Sequence, residues 1–95
     1  MGTLEIWPLE LRAEQDGRSI ELSPREVKML LLLEEKKNQA VSRDEFLDRC
    51  WGLDYFPDSR TLDQHIFVLR KKIEGGTELI ETVRGVGYRF REPLA

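Results

Sequence analysis

The sequence predicts an α+β fold in which a small antiparallel sheet is followed by three helices and a closing β-hairpin. Three observations lead there. Short strand-like runs flank an Asp16-Gly17 turn, two serine-led helix starts stand at Ser23 and Ser42, and the last third joins a long amphipathic stretch to a hairpin with glycines at its tip. Ninety-five residues make a single domain, 1–95, long enough to bury a modest core and too short for two.

Leu4–Ile6, Leu9–Ala13 and Arg18–Leu22 read as short strands, with Pro8 breaking the first pair and Asp16-Gly17 turning the second. Leu22-Ser23-Pro24-Arg25-Glu26-Val27 is a dense helix start. Ser23 is the N-cap, Pro24 fits the first helical position, Glu26 closes the capping box, and Leu22 staples to Val27. Val27, Leu30, Leu31 and Leu33 supply the apolar face of that helix, which frays in the polar stretch from Glu34 to Asn38. The device repeats at Val41-Ser42-Arg43-Asp44-Glu45-Phe46, and Phe46, Leu47, Cys50 and Trp51 form the inner face of a second helix. Gly52–Asp58 is then a loop carrying Leu53, Asp54, Tyr55 and Phe56, of which the aromatic Tyr55 and Phe56 either fold back on the domain or anchor a protein partner.

A third helix is predicted from about Ser59 to Glu74. Leu62, Ile66, Leu69 and Ile73 form one apolar stripe at helical spacing. The opposite side carries Arg60, Gln64, Phe67, Val68 and Lys71, with Lys72 beside them and Thr61 and His65 on a flank. Basic ends with hydrogen-bonding and short apolar groups between them suit the reading of base edges in a major groove, which admits one α-helix. A solvated amphipathic helix is the plainer reading. Gly75-Gly76-Thr77 ends the helix, and Leu79–Arg84, Gly85-Val86-Gly87 and Tyr88–Arg91 read as a β-hairpin. Three helices and a hairpin make a winged helix-turn-helix, whose last helix enters the major groove while the hairpin, the wing, reaches the backbone or the adjacent minor groove. Arg84 at the tip is placed for the second contact, and Thr82, Arg89 and Arg91 for phosphates.

A formal net charge of −3 is unlike a generic nucleic-acid binder, but the charge is polarised. Up to Asp58 there are 8 basic and 13 acidic residues, net −5; from Ser59 onward there are 7 and 5, net +2. The basic end of the chain is thus the end that carries the candidate helix and wing. Arg60, Arg70, Lys71, Lys72 and Arg84 are the candidate phosphate and groove contacts. One His, one Cys, no glycine-rich phosphate loop and no paired carboxylates beside a nucleophile leave an enzyme, a cofactor or a metal centre without a motif. Cys50 reads as a core residue. With no signal-peptide pattern and no apolar run longer than Met29–Leu33, the chain reads as cytoplasmic and without a membrane partner.

The segments L-S-P-R-E-V-K-M-L-L-L-L, V-S-R-D-E-F-L-D-R-C-W-G, D-S-R-T-L-D-Q-H-I-F-V-L-R-K-K-I and L-I-E-T-V-R-G-V-G-Y-R-F, in this order and spacing, resemble the DNA-binding effector domain of OmpR/PhoB-type bacterial response regulators. The resemblance implies a four-stranded N-terminal sheet, a recognition helix from about Ser59 to Glu74 and a wing around Arg84–Tyr88. It further implies output of a two-component phosphorelay: a preceding receiver domain that these residues do not include, a homodimer on promoter DNA, and RNA polymerase contact through the Gly52–Asp58 loop. Where members of the family commonly carry two arginines after the His-Ile pair, this chain has Phe67 and Val68. Neither can bond a guanine edge, so an A·T-leaning half-site is expected, with Gln64 on an adenine. The alternative is a winged helix serving as a protein-interaction or dimerisation module, with Tyr55, Phe56, Phe67 and Val68 as its apolar anchors.

Overall fold

The computed structural model describes residues 4–52, 59–73 and 76–91. Strands β1 (Leu4–Trp7), β2 (Arg12–Gln15) and β3 (Arg18–Glu21) form an antiparallel meander. Asp16 and Gly17 turn β2 into β3 with φ of 50° and 81°, the two positive values a type I′ turn requires. Strand alternation sends Ala13, Gln15 and Ile20 inward, while Arg12 and Glu14 pair on the outer face. The strand expected over Leu9–Ala13 is split. Pro8–Glu10 makes a 3-10 turn closed by Leu11 at φ 51°, because Pro8 pre-sets a turn and donates no ladder hydrogen bond. The four-stranded sheet implied by the resemblance is three-stranded among the described residues.

Helix α1 (Pro24–Glu35) starts as its capping box requires: Glu26 N donates to Ser23 Oγ at 3.1 Å, and Ser23 N donates to Glu26 Oε1 at 2.8 Å. Val27, Leu30 and Leu33 are buried as expected, together with Met29 and Leu32. Leu31 is instead 39% exposed. The core wraps α1 on the Met29 and Leu32 side, so the buried arc is displaced from the one the sequence suggested.

Strand β4 (Ala40–Ser42) was not legible beforehand; its partner lies far along the chain. Helix α2 (Arg43–Phe46) follows, with Glu45 N donating to the N-cap Ser42 Oγ at 3.1 Å. It runs on as a π-helical turn over Leu47–Trp51 and ends at Gly52, φ 90°. The turn carries Cys50 and Trp51 into the core, and burial pushes the Cys50 thiol up to about 11, as suits a packing residue.

Helix α3 (Ser59–Lys72) stops two residues before the expected Glu74, and a short helix, α4 (Gly76–Leu79), leads into β5 (Ile80–Val83) and β6 (Gly87–Phe90). The second sheet has the order β4-β6-β5, so the wing's last strand is its centre. Gly85, at φ 76°, turns β5 into β6 with Val86 N donating to Val83 O at 3.0 Å. Gly87 sits opposite Ser42, where any Cβ would run into Val41 O, so only glycine allows the two strands this approach. Between the two sheets, Phe46, Met29, Leu30, Leu33, Leu62, Ile66, Leu69 and Ile80 fill the core, and Phe46 meets Tyr88 edge-on at 6.0 Å. No helix among the described residues is long and apolar enough to cross a membrane.

Candidate nucleic-acid interface

Helix α3 buries the predicted stripe almost completely: Leu62, Ile66, Leu69 and Ile73 are each at most 2% exposed. The same period that buries these four turns Arg60, Gln64, Phe67, Val68 and Lys71 to the surface. Phe67 is 58% and Val68 46% exposed, so among the described residues this side of α3 is left uncovered at both. Lys71 Nζ lies 4.6 Å from the Phe67 ring centroid, joining charge to apolar surface on one turn. The three basic residues of the last turn also complement the negative C-terminal end of the helix dipole.

Several other predicted contacts are engaged inside the domain. His65 Nδ1 donates to Thr61 O at 2.8 Å, since a carbonyl can only accept, and its ring stands edge-on to Trp51 at 5.1 Å. Arg70 reaches back to the wing. Its Nε and Nη2 donate to Ile80 O at 2.9 and 2.5 Å, Nη2 also donates to Thr82 Oγ1 at 2.8 Å, and the guanidinium lies 5.4 Å from the Tyr88 ring. Lys72 Nζ donates to Glu26 Oε1 at 2.7 Å and to Glu21 O at 3.1 Å, tying the end of α3 to the start of α1. Arg89 is paired with Glu81 across the hairpin, and Arg91 approaches the same carboxylate at 3.3 Å. These two arginines hold Glu81 below the ordinary carboxylate range, chiefly through the Arg89 hydrogen bond.

The wing tip holds Arg84 and Val86 at the surface, Val86 being 43% exposed. Its path is set by a cluster that sequence reasoning missed. Asp63 on α3 accepts from the Tyr88 hydroxyl at 2.5 Å and from Arg43 Nη1 at 2.8 Å, while Arg43 N donates to Val86 O at 3.2 Å. One carboxylate therefore joins α3, the wing and the first residue of α2. The Arg43 hydrogen bond is the main reason Asp63 is held below its ordinary range, and burial, then the bond to Asp63, pushes the Tyr88 phenol up. Nothing in the spacing of Arg43, Asp63 and Tyr88 announces this cluster. Val86, by contrast, was visible as the one large side chain between two glycines.

The structure thus brings Arg60, Gln64, Phe67, Val68 and Lys71 together on one side of α3, with Arg84 at the exposed tip of the hairpin braced against that helix. Thr61, His65, Arg70, Lys72, Thr82 and Arg89 serve contacts within the domain. Leu53, Asp54, Tyr55 and Phe56 lie outside the described residues.

The model of a protein family described as transcriptional regulatory protein, C terminal, matches residues 17–90. The chain is 42% identical over 90 residues to the alkaline phosphatase synthesis transcriptional regulatory protein SphR of Synechococcus elongatus, a match that covers 92% of this chain and 35% of that protein. In structure it is similar to the DNA-binding domain of Bacillus subtilis CssR, with TM-score 0.81 and 31% identity over 93% of this chain and 99% of that one. It is equally similar to the Klebsiella pneumoniae RstA DNA-binding domain solved in complex with the RstA box, with TM-score 0.81 and 32% identity over 95% and 92% of the two chains. The curated relatives are much longer than this chain, which spans 35% of SphR and 40% of the Bacillus subtilis protein PhoP.

Proposed function

Because this chain belongs to the family of C-terminal domains of transcriptional regulatory proteins, we propose that it is the DNA-binding output domain of a two-component response regulator, with α3 in the major groove and the wing on the neighbouring backbone or minor groove. The observation that carries this reading is the division of α3. Its stripe is buried to 2% exposure or less, while the side bearing Arg60, Gln64, Phe67, Val68 and Lys71 faces outward. A helix offered for a groove needs that arrangement. Arg60, Lys71 and Arg84 supply charge for phosphates; Gln64, Phe67 and Val68 meet base edges. Arg70 and Thr82 support the reading as braces between helix and hairpin, Lys72 by tying the end of α3 to α1, and Arg89 by pairing with Glu81 within the hairpin. His65 does so by standing edge-on to Trp51, held there by its hydrogen bond to Thr61 O.

In the whole protein the proposal includes a receiver domain, homodimer formation on promoter DNA, RNA polymerase contact through Leu53, Asp54, Tyr55 and Phe56, and action in the cytoplasm. It assigns no catalytic step. Because the domain is acidic overall, each half-site is bound weakly, and joining two of them raises occupancy through effective concentration.

The test is a mobility shift on promoter duplexes across a salt series. Affinity should fall linearly with log salt, and Arg84→Ala should weaken binding while reducing the slope by about one unit. If Arg84→Ala alters neither, the wing is not in the footprint. The exposure of Phe67 and Val68 also favours a second reading, a protein-interaction surface. Self-association that is insensitive to salt and abolished by Phe67→Ser, without any duplex binding, would select it.

A further inference from the structure

Seven large apolar side chains are exposed among the described residues, and two of them, Phe67 and Val68, are neighbours on the outward side of α3. They stand between Gln64 and Lys71, with Arg60 one turn before. At a rise of about 1.5 Å per residue, Gln64 to Lys71 spans about 10 Å, or about three base-pair steps of 3.4 Å. The candidates for longer-range hydrogen bonding nearby are turned elsewhere: Arg70 to Ile80 and Thr82, Lys72 to Glu26, His65 to Thr61. Between Gln64 and Lys71 the outward side chains are therefore Phe67 and Val68, which themselves present only C–H surface.

A major groove is lined almost entirely by hydrogen-bonding atoms. Covering a guanine or adenine edge with Phe67 or Val68 would strip water from acceptors and donors and return nothing. The one apolar group the groove offers is the methyl on C5 of thymine. Resting on the proposed function above, we infer that Phe67 and Val68 are specificity-determining residues that read pyrimidine 5-methyl groups. The Lys71 ammonium, against the Phe67 ring, adds the charge that draws this apolar pair toward a phosphate-lined groove. Recognition is of the methyl itself. A 5-methylcytosine at the same position, though paired with guanine, offers the same surface.

The experiment starts from the best duplex recovered by selection from random sequence. Each thymine is replaced singly by deoxyuridine, which removes the methyl and leaves pairing and groove hydrogen bonds intact. One or two substitutions within three consecutive base pairs should weaken binding about fourfold each, the equivalent of about 0.8 kcal/mol for one buried methyl-sized group. In the Phe67→Ala, Val68→Ala double variant, the same substitutions should have no effect. At a sensitive position, 5-methylcytosine should bind about as much tighter than cytosine as thymine binds than deoxyuridine. Salt-dependent binding with every deoxyuridine neutral would overturn the inference and leave the DNA-binding reading standing. So would selected half-sites without thymine at these positions. Failure to retain any duplex would overturn both.

Discussion

Asp63 shows how much a single carboxylate can settle. It stands half-exposed on α3 yet accepts from Tyr88 and Arg43, so the helix and the wing share it. Its folded-state pKa lies below the ordinary value of about 3.9. A lowered carboxylate contributes stability that is fully present above the unfolded value and is lost as pH falls through the folded one. Asp63→Asn should therefore destabilise by about 1 kcal/mol at pH 7, a modest figure because solvent screens the site. The gap in melting temperature between wild type and variant should close as the buffer drops below about pH 4. A gap that persists into stronger acid would mean the carboxylate's charge is not what holds the contact. Directions of long side chains are also where sequence reading was weakest. Arg70, Lys72 and Arg84 look alike on a helical or hairpin plot, but four to five rotatable bonds let the nearest acceptor decide. For two of them that acceptor, Ile80 O or Glu26, belongs to another element.

Among the elements, α3 depends on a fastening at each end. Near its start Asp63 meets the wing and α2; at its close Lys72 meets the buried Glu26 of α1, itself occupied with the capping box. Lys72→Ala should leave that carboxylate short of a partner and cost about 1–3 kcal/mol in chemical denaturation, with the helical circular dichroism of the folded state unchanged. A stability within 0.5 kcal/mol of wild type, roughly the spread of ordinary surface changes, would count against the fastening. The capped starts of α1 and α2 and the stripe of α3 were legible because cap and period are local, written within four residues of Ser23, Ser42 and Leu62. The π-helical turn at Leu47–Trp51, the 3-10 turn at Pro8–Glu10 and the strand at Ala40–Ser42 were not. The first and last of these are settled by packing or pairing with residues distant in sequence, while at Pro8–Glu10 the proline announced a break but not the turn that replaced the strand; three residues such as Ala40-Val41-Ser42 carry no alternation to read.

At the scale of the whole molecule, composition and architecture pull in different directions. The net negative charge belongs to the residues up to Asp58, whereas the stretch that makes α3 and the wing has more basic than acidic residues, so net charge understated what one surface can do. The fold class, the order of first sheet, three main helices and hairpin, and the buried stripe followed from pattern. Which basic residues face outward did not, because that depends on how the two sheets and α1 close around the helix. The pairing of β4 with β6 has a further consequence for how such a chain is made. Ala40–Ser42 leaves the ribosome well before Gly87–Phe90, and among the described residues β6 is its sole ladder partner. The strand therefore waits unpaired until more than forty further residues have been made, and a product terminated after Arg84 should give the broad, collapsed proton spectrum of an unclosed domain rather than dispersed methyl resonances.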